Sequence, residues 1–589
     1  MEQQATAVDV RAATTVDPIK FEVVRNALVA ATEEMAITLR RSAYSTNIKT
    51  RADFSCAMFD RHLRCVAQSF SQPVHLGSMV LLVRNAVEGY GPERLGEGDV
   101  LITNDPYLPG SHLNDVTLIA PVHHDGELIG YVANLAHHVD VGGGAPASVG
   151  AFREIYQEGV IIPPVKIAEA GQILPDVLAL VLGQIRSKFE TDGDLRAQLA
   201  ANTTGGRRLA ALVAAHGADT VQHYVDELIA YTERRTREAI AALPRGEFSS
   251  ECTLDWDGFT EEPVRLAVRI VIDDDGIAFD LAGCDPQRRA PVNSTRAHTI
   301  SAAAYVVKCL IDADIPVNDG FYRLVNVDAP AKSVVSCEAP APVVGTGETQ
   351  LRLTDLMFRA LAPAFPERVM AGTKGMICHA GFGGSDPRTG DYFCYLETLA
   401  GGYGGRASSD GPDAVQTHGQ NTENAPVEET ERSYPVRILR YELVDDSDGP
   451  GKHRGGLGLR RDYVFPDQEV TFTILADREK AGPWGLFGGE PGRRAEYVLD
   501  PDGEARRLRS KVTLDLQPGQ VVSYRTCGGG GYGPSFERDP RLVLRDVREG
   551  KVSVQRARSA YGVALDAGGR YIDVAETARL RSAGERTGV

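Results

Sequence analysis

The stretch VTLIAPVHHDGELIGYVANLA, residues 116–136, constrains the fold of this 589-residue chain more than any other. Two apolar runs of strand length flank His124-Asp125-Gly126, and an Asp-Gly pair between such runs specifies a tight antiparallel hairpin. With the turn centred on Asp125 and Gly126, residues whose numbers sum to about 251 face each other. Asp115 is then expected opposite Ala136, and Leu113 opposite His138. Directly opposed Cβ atoms lie roughly 4.5–5.5 Å apart. The open end of the hairpin therefore gathers His112 and Asp115 with His137, His138 and Asp140, even after a slip of one or two residues.

Five of the thirteen histidines fall between Gly110 and Gly143. A histidine and a carboxylate three residues apart, met by a second histidine some two dozen residues on, supply the imidazole and hard oxygen donors that Zn, Mn or Fe accept. Three protein donors leave a position open for water or substrate. The competing reading is a polar sheet edge with hydrogen-bonded histidines. His123 and His124 sit beside the turn and read as solvated. Asp53, in TRADFSCAMFD, is either a further ligand, a carboxylate that orients a bound imidazole, or a cap at a strand start. His75 in QPVHLGS could approach the same region, but a lone histidine on a helix face reads first as structural. No G-x-S-x-G elbow occurs, and Cys56 and Cys65 lie in apolar runs where a thiol stays protonated.

Around this hairpin the periodicity predicts an α+β protein: mixed and multi-domain, with antiparallel sheets, a helical middle segment and a strand-rich C-terminal part. The divisions expected are 1–180 with the metal-site region, 181–247 helical, 248–432 α+β with glycine-rich loops, and 433–589 strand-rich and ending in a helix. Asp17-Pro18 opens an amphipathic helix over 17–45. Short strands meet near Asp60-Arg61, and a second helix runs through QPVHLGSMVLLVRNAVEGYG. Residues 248–283 alternate with period two around an Asp-Asp-Gly hairpin turn, and further helices are expected near 297–312 and 348–364. The glycine-dense stretch 371–413 reads as a loop surface near function or as a series of turns, and one helix is expected within 539–562. A net charge of −17 disfavours nucleic-acid or anionic-membrane partners. The polar N-terminus and the lack of a long apolar run suggest a cytoplasmic protein. The nine cysteines, scattered and never spaced C-x-x-C, read as reduced thiols.

Nucleotide motifs are nearly missing. No G-x-x-x-x-G-K-[ST] occurs, and the one G-x-G-x-x-G, Gly528 to Gly533, lacks a surrounding βαβ unit and reads as a tight structural turn. Taken in order, TRADFSCAMFD, NDPYLPGSHLNDVTLIAPV, AHHVDVGG, TENAPVEETERSYPVRI and CGGGGYG resemble the hydantoinase B family over nearly the whole chain. That family includes N-methylhydantoinase B, the corresponding part of 5-oxoprolinase, and subunits of caprolactamase and of acetone and acetophenone carboxylases.

The resemblance implies a hetero-oligomer such as α2β2. In it a hydantoinase A-type ATPase subunit uses ATP to phosphorylate a cyclic amide or ketone, and this chain holds a divalent metal where the activated species reacts. It places the metal on His112, Asp115 and His138, with Asp53, His137 or Asp140 as general base or orienting group. ATP-dependent hydrolysis of a cyclic amide is the first expectation and ketone carboxylation the second. A mononuclear iron oxygenase and a non-catalytic scaffold for the ATPase are the remaining alternatives.

Overall fold

The computed structural model describes residues 16–108, 110–273 and 276–587. Asp17 caps the first helix, α1 (Pro18–Ser42), by accepting the Ile19 and Lys20 amides, and the helix buries Val24, Leu28, Met35 and Leu39. Seven antiparallel strands follow: β1 (Phe54–Asp60), β2 (Cys65–Gln68), β3 (Val100–Thr103), β4 (Asp115–His124), β5 (Glu127–His137), β6 (Val165–Glu169) and β7 (Gln172–Ile173). They form one sheet in the order β2-β1-β5-β4-β3-β6-β7.

Helices cover this sheet on both sides. On one, α1 and the helix Lys188–His216 share a core with β1 and β5 that includes Met35, Met58 and Val132. Their close approach depends on Gly205, where a Cβ would stand 2.3 Å from the Met35 sulfur. On the other, the helix Pro73–Tyr90 packs Met79 and Val83 against Leu101, Ile119 and Tyr131. The hairpin β4–β5 thus lies mid-sheet with both faces covered.

A second sheet of four strands includes Val264–Asp273, whose residues alternate strictly between buried and less buried. Its inner face packs on the helices Arg296–Leu310 and Thr346–Leu361. Asp274 and Asp275, in the expected Asp-Asp-Gly turn, lie outside the described residues, but Gly276 pairs with Asp273 as a hairpin there requires.

The rest of the chain builds a four-stranded and a five-stranded sheet around an aromatic core of Phe382, Tyr395, Tyr463 and Phe472. The glycine-dense stretch, expected to be loops or turns, supplies two of these strands, His379–Ser385 and Tyr392–Thr398. The CGGGGYG segment is a packing device. A Cβ on Gly528, Gly529, Gly530 or Gly531 would stand 1.8–2.0 Å from the carbonyl oxygens of Ser447, Tyr403, Trp484 and Pro450. The backbones meet there with no room for a phosphate. Residues 539–562 hold two helices in place of the expected one, Pro540–Arg548 and Val554–Tyr561, because Gly550 turns the chain at φ 72° between them. The architecture is α+β throughout, and among the described residues no helix is long and apolar enough to cross a membrane.

Candidate metal centre

The turn falls on Asp125-Gly126, with His124 opposite Glu127 and His123 opposite Leu128. A bulge between Val122 and His123 then adds one residue to the count, so that Val122 pairs with Gly130 and Asp115 pairs with His137 instead of Ala136. A shift of one residue sends every later side chain to the opposite face. The structure therefore brings His137, not His138, to His112 and Asp115. One ligand atom from each of these three buried residues lies within 4.8 Å of the others. The His138 ring faces the other way, where its Nε2 lies 2.9 Å from Gln198 Oε1.

Neighbouring strands converge on this point. The Asp53 carbonyl, just before β1, accepts the His137 amide at 3.0 Å, and β4 begins with Asp115. The first turns of three helices close the space. The helix Pro73–Tyr90 contributes His75, Arg296–Leu310 contributes His298, and Thr346–Leu361 contributes Thr346, Gly347 and Gln350. His379, at the start of a strand in the third sheet, lines the same cavity, of about 40 Å³.

Within it, His112 Nδ1 lies 2.9 Å from Asp115 Oδ2, and the His112 and His137 rings stand 4.9 Å apart, centroid to centroid. His75 Nε2 sits 3.8 Å from both Asp53 Oδ1 and Asp115 Oδ2. Ser111 donates to Asp115 Oδ2 and meets His298 Nε2 at 2.7 Å, while His298 Nδ1 is held at 2.8 Å by Thr346. The Gln72 amide donates to Asp53 Oδ1 at 2.7 Å. Asp115 Oδ1 is buried with no hydrogen-bond partner, and so is His75 Nδ1. An unmatched buried carboxylate oxygen beside two imidazoles is a donor set that fits a divalent cation.

The electrostatics agree with that fit for two of the three donors. Burial would raise the Asp115 carboxyl, but His112 and His75 outweigh it and hold it well below the usual carboxylate range. Burial would likewise depress His112, yet Asp115 wins and raises it. His137 is held well below the ordinary imidazole value, first by burial and then by the neighbouring His112. Two donors are therefore in the deprotonated form that metal binding needs. Burial raises the Asp53 carboxyl, opposed in part by His75. His298, buried, is lowered to about 3.

Of the residues expected from the sequence, His112, Asp115, His137 and Asp53 meet at the cavity and His138 does not. Asp140 is also elsewhere. Its carboxylate accepts the Arg186 amide at 2.8 Å and pairs with the Arg186 guanidinium at 2.9 Å, which fixes the loop after β5. His123 and His124 lie half-buried beside the turn. His75, which the sequence allowed to approach this region, lines the cavity, and three further residues stand at or beside it without a sequence signal: His298, His379 and Glu348. Glu348 stands 3.3 Å from His379 Nδ1, and neither of its carboxylate oxygens has a hydrogen-bond partner. The Thr295 cap marks His298 as a first-turn residue of its helix, but no local spacing ties it to His112.

The pattern of the family described as Hydantoinase B/oxoprolinase matches residues 17–535. The chain belongs to the hydantoinase B/oxoprolinase family. Within it, an uncharacterised protein of Methanocaldococcus jannaschii is 39% identical, over 96% of this chain and 100% of its own length. The B component of a putative D-/L-hydantoinase of Pseudomonas sp. is 33% identical, over 96% of this chain and 98% of its own. The crystal structure of the ATP-dependent caprolactamase from Pseudomonas jessenii superimposes with a TM-score of 0.89 at 32% identity, covering 97% of this chain and 100% of that one.

Proposed function

We propose that this chain is the B-type subunit of an ATP-dependent cyclic-amide hydrolase. In this reading a hydantoinase A-type ATPase phosphorylates the amide oxygen of the ring, and the His112–Asp115–His137 centre receives the activated species. The observation that carries it is the cavity where those three residues converge, in a chain similar over nearly all its length to a caprolactamase and to a hydantoinase B component. An unstrained amide is a poor electrophile, and phosphorylation turns its oxygen into a leaving group. The lack of a P-loop suits a subunit that accepts an activated substrate from another chain. In this reading the complex works where ATP is supplied, in the cytoplasm.

A Zn, Mn or Fe ion on His112, Asp115 and His137 would supply Lewis-acid polarisation and an activated water. The chain's own groups do the rest. Asp53 Oδ1 is occupied by the Gln72 amide, which leaves Oδ2 to take the proton from the attacking water. A carboxylate raised by burial accepts a proton more readily than a free one. His75 Nε2, 3.8 Å from an oxygen of each, separates the Asp53 and Asp115 carboxylates. Ser111 and His298 hold Asp115 in place. Three helix N-termini facing one cavity favour an anionic, phosphorylated ligand.

Co-purification with its ATPase partner followed by assays on caprolactam, hydantoin and 5-oxoproline tests the reading. Ring opening is expected only with both chains, ATP and metal. Activity of this chain alone without ATP would refute it, and bicarbonate-dependent consumption of acetone or acetophenone would transfer it to the carboxylases.

A further inference from the structure

The five-stranded sheet ends on the strand Arg437–Leu443, which pairs on one side only, with Leu459–Val464. Towards its Leu443 end this edge carries exposed apolar side chains. Leu439 is 55% exposed, Tyr441 40% and Leu443 41%, and an open edge with large apolar side chains is a template for pairing with another strand.

The sequence of the edge says which strand. Arg437-Ile438-Leu439-Arg440-Tyr441-Glu442-Leu443-Val444-Asp445 is a chemical palindrome about Tyr441. Outward from the centre, Arg440 answers Glu442, Leu439 answers Leu443, Ile438 answers Val444 and Arg437 answers Asp445. When two identical strands cross antiparallel at Tyr441, residues whose numbers sum to 882 stand opposite each other. The inner matches, Arg440 with Glu442 and Leu439 with Leu443, then become cross-strand pairs twice over by symmetry, and Arg437 and Asp445 approach each other beyond the end of that ladder.

The backbone suits that centre. The Val444 amide donates inward to the Gly458 carbonyl at 2.9 Å, so by alternation Leu443 and Tyr441 turn their amides and carbonyls outward. Tyr441 can thus exchange both bonds with its own copy. At the other end the Ile438 amide is met by Glu431 Oε1 at 2.8 Å, and the register is irregular between Ile438 and Arg440. The added ladder is therefore short, centred on Leu439–Leu443. Arg437 and Asp445 are both exposed and make no ion pair among the described residues. Both ends of the palindrome are free to meet a second copy.

We propose that this edge is a two-fold interface between two copies of this chain, which joins their five-stranded sheets into one continuous sheet. The proposal is independent of the reaction assigned above. Sedimentation of the full-length chain, alone and with its co-purified partner, should show a concentration-dependent dimer of this chain. Arg437→Asp or Asp445→Arg alone places like charges opposite each other at two points and should weaken the dimer roughly tenfold.

Mixing these two variants restores opposite charges at both points, so the mixture should dimerise as well as the wild type. Tyr441→Lys sets two ammonium groups at the axis and should give monomers. Melting curves matched to the wild type establish that each variant is folded. A wild type that stays monomeric throughout, a dimer that ignores all three substitutions, or a mixture no tighter than either variant alone would overturn the proposal.

Discussion

Asp115 and Asp477 are equally deep in the protein, 2% and 0% exposed, yet they are furnished differently. Asp477 joins the second sheet to the third. It receives Lys511 Nζ at 3.0 Å, Arg352 Nη2 at 2.8 Å and the Asp255 amide at 3.1 Å. Both of its oxygens are met by the chain itself. Asp115 has Ser111 and His112 on one oxygen and nothing on the other. A buried carboxylate saturated by its own fold is a joint, whereas one left short of partners faces a socket for something from outside.

Substitution separates the two most strongly. Asp477→Ala strands two buried cations and should cost about 3–5 kcal/mol, read as a large fall in melting temperature or as insoluble chain. Asp115→Ala should leave the fold intact while metal retention and ATP-dependent ring opening disappear. If Asp115→Ala unfolds the protein and Asp477→Ala does not, the contrast is wrong.

A smaller effect sharpens it. Ser111 links Asp115 to His298, so Ser111→Ala loosens a ligand without removing one. Metal affinity in a competition titration with a chelator should drop roughly 10–100-fold, with little change in melting temperature.

A third effect is on pH dependence. Glu158, 1% exposed, accepts the Val343 and Val344 amides at 2.8 Å each. Burial nevertheless lifts its carboxyl from 4.5 to about 8. The folded chain then keeps a proton that the unfolded chain gives up. The stability it contributes is complete below about pH 4.5 and is lost as pH rises towards 8. Glu158→Gln keeps the acceptor and removes the titration. Its melting temperature should therefore fall less between pH 5 and pH 8 than that of the wild type.

The parts of this fold that sequence reveals are those decided locally. The Asp17 cap, the Asp-Gly turn and the period-two run of Val264–Asp273 each need only a few neighbouring residues, and each stands where its spacing places it. The bulge at Val122–His123 is different. It lies beside Pro121 and opposite Gly130, residue types that strands admit at bulges, but those two residues do not by themselves fix which pairing shifts. That single residue exchanged His137 for His138. His75, His298 and His379 reach the cavity from three separate elements, so their convergence belongs to the packing of those elements and has no signature along the chain. Asp140 misled for the opposite reason: close in sequence to the site, it is held by Arg186.

If the bulge makes His137, and not His138, the third donor beside His112 and Asp115, the two histidines must differ in what their loss does to the metal. Metal analysis of His137→Ala and His138→Ala, each purified as the full chain with its ATPase partner, tests this directly. His137→Ala should lose the metal. His138→Ala should keep it and lose only the contact with Gln198. Metal retained by His137→Ala and lost from His138→Ala would contradict the account.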